Sequence, residues 1–143
     1  MSQSWALFQK IIRYLEHNMN APDHPSSSID CFKKCPKCGF VWPFRDDFLS
    51  DPDIVIIGYQ ADFKALSAGL FYFNHSCKGT MALHAGLFED LHEGPIFEAR
   101  ATGSEACPEY CIHQDELRPC PLECECAYTR DIIQVVKKWR KRK

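Results

Sequence analysis

Apolar residues recur along this chain with two different periods, and the switches between them divide it into segments. Over residues 4–19, Trp5, Phe8, Ile12, Leu15 and Met19 are spaced by three and four, which puts them on one face of an amphipathic helix. Residues 20–28 have no apolar period and are rich in Asn, Pro and Ser, so they read as a linker. Residues 53–59 are a short apolar run rich in β-branched side chains, with Asp51-Pro52 before it and Gly58 near its end, the pattern of a buried strand. Residues 69–74 (Gly-Leu-Phe-Tyr-Phe-Asn) predict a second strand, followed by a turn at Cys77-Lys78-Gly79. Thr80 is then placed to cap a helix over residues 80–91, with His84, Leu87, Phe88 and Leu91 on one face. Residues 95–101 fit a further strand, and 103–128 read as loop arranged around five cysteines. A last helix, starting near Thr129, carries the stripe Ile132, Val135, Val136 and Trp139.

These elements predict an α+β fold. A small mixed or antiparallel sheet would be flanked by N- and C-terminal amphipathic helices and held by metal-stabilised loops. Three parts follow: the N-terminal helix and linker (1–28), a cysteine-rich metal-binding body (29–128) and a basic C-terminal helix (129–143). Hydrophobic residues make up 45% of the chain and ten are Phe, which supplies a core and excludes global disorder. A net charge of -2 excludes a nucleic-acid binder that works through overall charge. Lys137, Lys138, Arg140, Lys141, Arg142 and Lys143 read as a solvated helix end whose cations suit the C-terminal dipole, rather than as a phosphate-binding tail. The first residues show neither a basic n-region nor an uninterrupted apolar core, and the apolar run at 54–58 is too short to span a bilayer. The expectation is a cytoplasmic protein with no membrane contact.

That compartment governs how Cys31, Cys35, Cys38, Cys77, Cys107, Cys111, Cys120, Cys124 and Cys126 are read. A reducing cytosol disfavours structural disulfides, so metal ligation is the expected use. Cys35-Pro36-Lys37-Cys38-Gly39 is the most specific signal. Two thiolates separated by two residues reach one tetrahedral ion from a tight turn, and the following glycine permits the positive φ that the turn demands. These five residues resemble the knuckle of zinc ribbons and rubredoxin-like sites. A knuckle needs two more ligands. His75 and Cys77, two apart at the end of the aromatic strand, point to one face and complete a closed Cys₃His set, with Cys31 left out.

The second group is Cys107, Cys111, Cys120, Cys124 and Cys126. Five cysteines in twenty residues exceed what core packing uses, and their spacing is neither that of a zinc finger nor that of a bacterial ferredoxin. Zinc or an iron–sulfur cluster held by Cys107, Cys111, Cys120 and one of Cys124 or Cys126 is the economical reading, with zinc favoured and the fifth thiol spare. His113 reads as an ordinary surface residue, with a substitute ligand there as the alternative. His84 is the candidate for a further cofactor, on an inward helical face.

Phosphate-loop, dinucleotide-glycine, nucleophile-elbow and zinc-protease motifs are absent from the sequence. The leading expectation is therefore a non-enzymatic metal-binding sensory or regulatory module. Its terminal helices would meet a protein partner, a further domain or a second copy of the chain in a homodimer. The alternatives are an iron–sulfur electron carrier and a zinc-stabilised nucleic-acid binder.

Overall fold

A computed structural model describes residues 31–143; the helix expected over residues 4–19 and the linker after it lie outside the described residues. The described chain is mixed α and β, with two small antiparallel sheets. In the first, β1 (Lys33–Lys34) pairs with β2 (Val41–Trp42), with Lys33 opposite Trp42 and Lys34 opposite Val41. The Cys-x-x-Cys-Gly turn closes this hairpin. Helix α1 (Arg45–Ser50) follows, with Phe48 and Leu49 inside. The second sheet has the order β3-β4-β5, from β3 (Val55–Gln60), β4 (Leu70–Asn74) and β5 (Thr80–His84).

Period-two alternation builds the inner face of that sheet. Phe71 and Phe73 of β4 and Met81 and Leu83 of β5 are buried between solvent-facing neighbours. In β3 the register shifts between Ile56 and Gly58, so Ile57 is an extra residue. The bulge lets both Ile56 and Tyr59 reach the core, although they are three apart.

The structure corrects two expectations here. Residues 80–91 are not one helix: Thr80–His84 pairs with β4, with Phe73 opposite Met81 and Leu70 opposite His84, and Ala85–Leu91 is a 3₁₀ helix. Strand pairing overrides the helical spacing of His84, Leu87, Phe88 and Leu91 because Met81, Leu83 and Ala85 alternate into the core. Residues 95–101 form no strand.

Aromatic rings fill the space between the sheet and its cover. Phe48 meets Phe73 edge-on at 5.0 Å and Trp42 at 5.1 Å, and Phe88 packs on Phe71 and Phe73 at 5.6 and 6.0 Å. Arg45 ties α1 to the 3₁₀ segment through the Asp90 carboxylate (2.5 and 2.7 Å) and the Leu87 carbonyl (2.9 Å). Helix α2 (Ala127–Lys137) buries Ile132, Ile133 and Val136 in the same core. The expected stripe was therefore one residue out: Val135 is exposed, and Ile133, on the inner side, takes its place.

The basic end does not continue as helix beyond Lys137. It folds back on α1, where the Lys141 ammonium donates to the carbonyls of Leu49 (2.7 Å) and Ile54 (3.0 Å) and the Arg142 amide donates to Ser50 (2.7 Å). Since α1 has no basic residue in its last turn, the bonds to Leu49 and Ser50 satisfy carbonyls that the helix itself leaves open.

Asp51, at the end of α1, accepts the buried Trp42 indole N–H at 2.8 Å and the Asp53 amide at 2.8 Å. Asp51→Ala strands that indole donor in the core. It is expected to cost about 1–3 kcal/mol, read as a lower urea midpoint at unchanged slope.

Candidate metal centre

Two turns face one another at one end of the sheets. The first joins β1 to β2: the Cys35 amide donates to Phe40 (2.8 Å) and the Gly39 amide to Cys35 (2.9 Å). Gly39 has φ +80°, the conformation that the sequence spacing required of it. The second turn joins β4 to β5, with the His75 amide bonded to Gly79 (3.0 Å) and the Lys78 amide to His75 (2.9 Å). Gly79 allows the close approach of the two, since a Cβ there would stand 3.1 Å from both the Cys77 sulfur and the Lys37 Cβ.

These turns bring Cys35, Cys38, His75 and Cys77 together, with all four ligand atoms within 4.8 Å of one another. Among the described residues it is the one group of three or more such side chains that converges in this way. The Cys35 and Cys77 sulfurs are 3.6 Å apart, and the Cys38 sulfur is 3.5 Å from His75 Nδ1. Metal–sulfur and metal–nitrogen bonds of about 2.3 and 2.0–2.1 Å in a tetrahedron give edges of roughly 3.8 and 3.5 Å. The donor set therefore has the size and chemistry to hold a metal ion. Trp42, edge-on to the His75 ring at 5.0 Å, and Phe40 at 5.8 Å fix the imidazole's orientation. Neither aromatic figured in the sequence reading, although both lie within four residues of Cys38.

Burial pushes the Cys35 thiol up, but the Cys38 and Lys37 amides and the Cys77 and His75 side chains outweigh it and bring it down to about 6. For Cys38 the Phe40 amide acts downward, yet desolvation and the neighbouring Cys35 and Cys77 sulfurs prevail and raise the thiol. One thiolate therefore suppresses the next until a cation arrives.

The second cysteine group is placed differently. Cys111, Cys124 and Cys126 are buried together, and the Cys126 thiol donates to the Cys124 sulfur at 3.3 Å. The Ala101 amide also donates to Cys124 (3.2 Å). Cys107 is half-buried, its sulfur accepting the Glu109 amide at 3.4 Å, and Cys120 is half-buried against the core. Cys31 is half-buried outside the converging set. All nine cysteines lie within the described residues as free thiols. His113 is exposed. His84 is exposed at the end of β5, its Nδ1 3.2 Å from the Ala68 carbonyl, because it lies on the outer side of the strand rather than on an inward helical face.

Arg130 is the residue that sequence reading missed. It is fully buried in α2, and no carboxylate pairs with it among the described residues. Its guanidinium donates to the carbonyls of Arg118 (2.7 Å) and Glu116 and reaches the Cys111 sulfur at 3.7 Å. Cys126 and then Arg130 draw the Cys111 thiol down to about 6 against the effect of burial, and the Cys126 thiol is raised in turn by Cys111 and by burial. The available signal was spacing: Arg130 follows Cys126 by four residues, one helical turn.

No helix among the described residues is long and apolar enough to cross a membrane. Comparisons with protein-family models, curated proteins and solved structures find no match, so the functional reading rests on the geometry.

A raised Cys38 thiol must lose its proton when a metal binds, while Cys35 is already ionised above about pH 6. Zinc affinity is therefore expected to increase from about pH 6.5 to pH 8, by roughly tenfold per pH unit for each proton displaced. Competition with a chromophoric chelator measures it, and a flat profile contradicts the ionisation order.

Proposed function

We propose that this protein is a small metal-binding regulatory module in which Cys35, Cys38, His75 and Cys77 hold one zinc ion. The observation that carries the reading is the convergence of four soft and borderline ligands, two from each facing turn, at the edge lengths of a tetrahedral site. Four protein ligands leave no position for a substrate, which favours a structural ion over a catalytic one. The two turns it joins are 37–42 residues apart in sequence, so the ion closes a long loop that a hairpin of two-residue strands holds only weakly.

A regulatory role implies a surface for a partner. The apolar stripe of α2 is taken up by the protein's own core. Phe40, Val41 and Phe44, exposed on and just after the first hairpin, are the apolar side chains that a partner would cover.

The test is elemental analysis of anaerobically purified protein, paired with two variants. Wild-type protein is expected to retain zinc at this site. Cys38→Ser should lose it, together with a large part of the ion's contribution to stability, which reaches ~10 kcal/mol in structural sites. Because Cys38 is exposed, its loss removes little packing, so the instability reports the metal. Cys31→Ser should retain the ion. Iron with visible absorption at this site contradicts zinc, and equal metal in both variants contradicts the ligand set.

A further inference from the structure

We propose that Cys111, Cys126 and Cys124 form a thiol–disulfide exchange centre, in which Cys111 attacks an organic disulfide and Cys126 resolves the product into a Cys111–Cys126 bridge. The inference does not depend on zinc at the other site.

The three sulfurs make a chain rather than a cage. The Cys126 thiol donates to the Cys124 sulfur at 3.3 Å. Arg130, whose amide donates to the Cys126 carbonyl one helical turn back (3.4 Å), reaches the Cys111 sulfur at 3.7 Å, which sets Cys111 beside the first turn of α2. They are not among the groups whose ligand atoms all converge, whereas Cys35, Cys38, His75 and Cys77 are. At one end of the chain stands Arg130, a fully buried cation with its guanidinium 3.7 Å from the Cys111 sulfur and no carboxylate partner among the described residues. The Glu116 carboxylate feels this charge without pairing to it, and the Cys111 sulfur is the ionisable group within direct reach of the guanidinium. The same cation stabilises a nucleophile.

Exposure sets the order of events. Cys111 is 9% exposed on the 3₁₀ turn Tyr110–Ile112, beside the exposed Ile112, while Cys126 and Cys124 are 3% and 1% exposed. Of these three sulfurs, Cys111 is therefore the one that an incoming disulfide meets first. The Cys111 thiolate attacks one sulfur of RS–SR, the RS–SR bond breaks, and RS⁻ leaves and takes a proton from water. The Cys126 proton goes to the Cys124 sulfur in its thiolate form, which, against the effect of burial, the Cys126 and Ala101 amides favour. The resulting Cys126 thiolate attacks the Cys111 sulfur. The mixed disulfide breaks, the Cys111–Cys126 bond forms, and a second RS⁻ departs. Two protein thiols are oxidised and one organic disulfide is reduced to two thiols.

The bridge would tie the long irregular segment before α2 to the helix's own N-terminal end, since Cys126 is the cap residue immediately before α2. That segment is at present held by donors from α2 to backbone carbonyls: Arg130 to Glu116 and Arg118, and Gln134 to Leu117 at 2.6 Å.

The experiment uses the full chain as purified, incubated with glutathione disulfide. Remaining thiols are then alkylated in acid and the peptides are mapped by mass spectrometry. The wild-type chain is expected to yield a Cys111–Cys126 cross-linked peptide. Cys126→Ser should stop at a glutathione adduct on Cys111. Cys124→Ser should accumulate that same adduct and form the bridge more slowly, which a merely structural role for Cys124 does not produce. Three outcomes overturn the proposal: no bridge in the wild-type chain, a bridge through Cys107 or Cys120 instead, or a second equivalent of metal that Cys111→Ser removes. The wild-type mapping needs no variant to fold. Zinc content measured on the same sample keeps the two readings apart, because a bridge in zinc-free protein leaves this one standing and overturns only the other.

Discussion

The difficulty of ionising neighbouring thiols in a partly buried place sets the main constraint on this structure. Three cysteine sulfurs and an imidazole nitrogen meet between two turns, and ionising one thiol makes the next harder to ionise. A divalent cation would remove that repulsion and could use every ligand at once. The short β1–β2 hairpin, the position of Trp42 against His75 and the facing turns all serve this meeting point. The aromatic core beneath them gives the turns a rigid base, since Phe48 touches both Trp42 and Phe73.

A second buried charge organises the other half of the protein by a different route. Arg130 spends its donors on two carbonyls and a sulfur, and its guanidinium lies near the Tyr59 and Tyr110 rings at 5.8 and 5.5 Å. An irregular segment has few hydrogen bonds of its own, so a multidonor side chain reaching out from a helix is an economical way to order it. Thr129, next to it, adds a bond to the Cys126 carbonyl at 2.7 Å and shares one with the Tyr59 hydroxyl at 3.0 Å, which links α2 to β3.

The candidate metal centre was legible in the sequence because its chemistry is local. The Cys-x-x-Cys-Gly spacing specifies its own turn, and the His75/Cys77 pair at the end of a strand offers a matching one. Strands β3 and β4 were legible for a similar reason, being compact apolar runs between turn formers. Residues 80–91 were misread because Thr-Met-Ala-Leu-His satisfies a strand and the start of a helix equally well, and only pairing with β4 separates them. Arg130 was passed over because a lone arginine in an amphipathic helix usually faces solvent. Its burial depends on carbonyls that a long loop brings in, which no local pattern encodes. Short α1 left no periodic signal within its six residues.

The folded-back tail has a consequence for how the ends of this structure communicate. Lys141 grips carbonyls on either side of Asp51, Asp51 holds the Trp42 indole, and Trp42 rests against His75. Two side chains, Asp51 and Trp42, thus separate the segment that Lys141 grips from a ligand of the candidate metal centre. Thermodynamic linkage works equally in both directions along such a series. Whatever free energy an ion at His75 lends to seating the tail, the seated tail returns to the affinity for the ion.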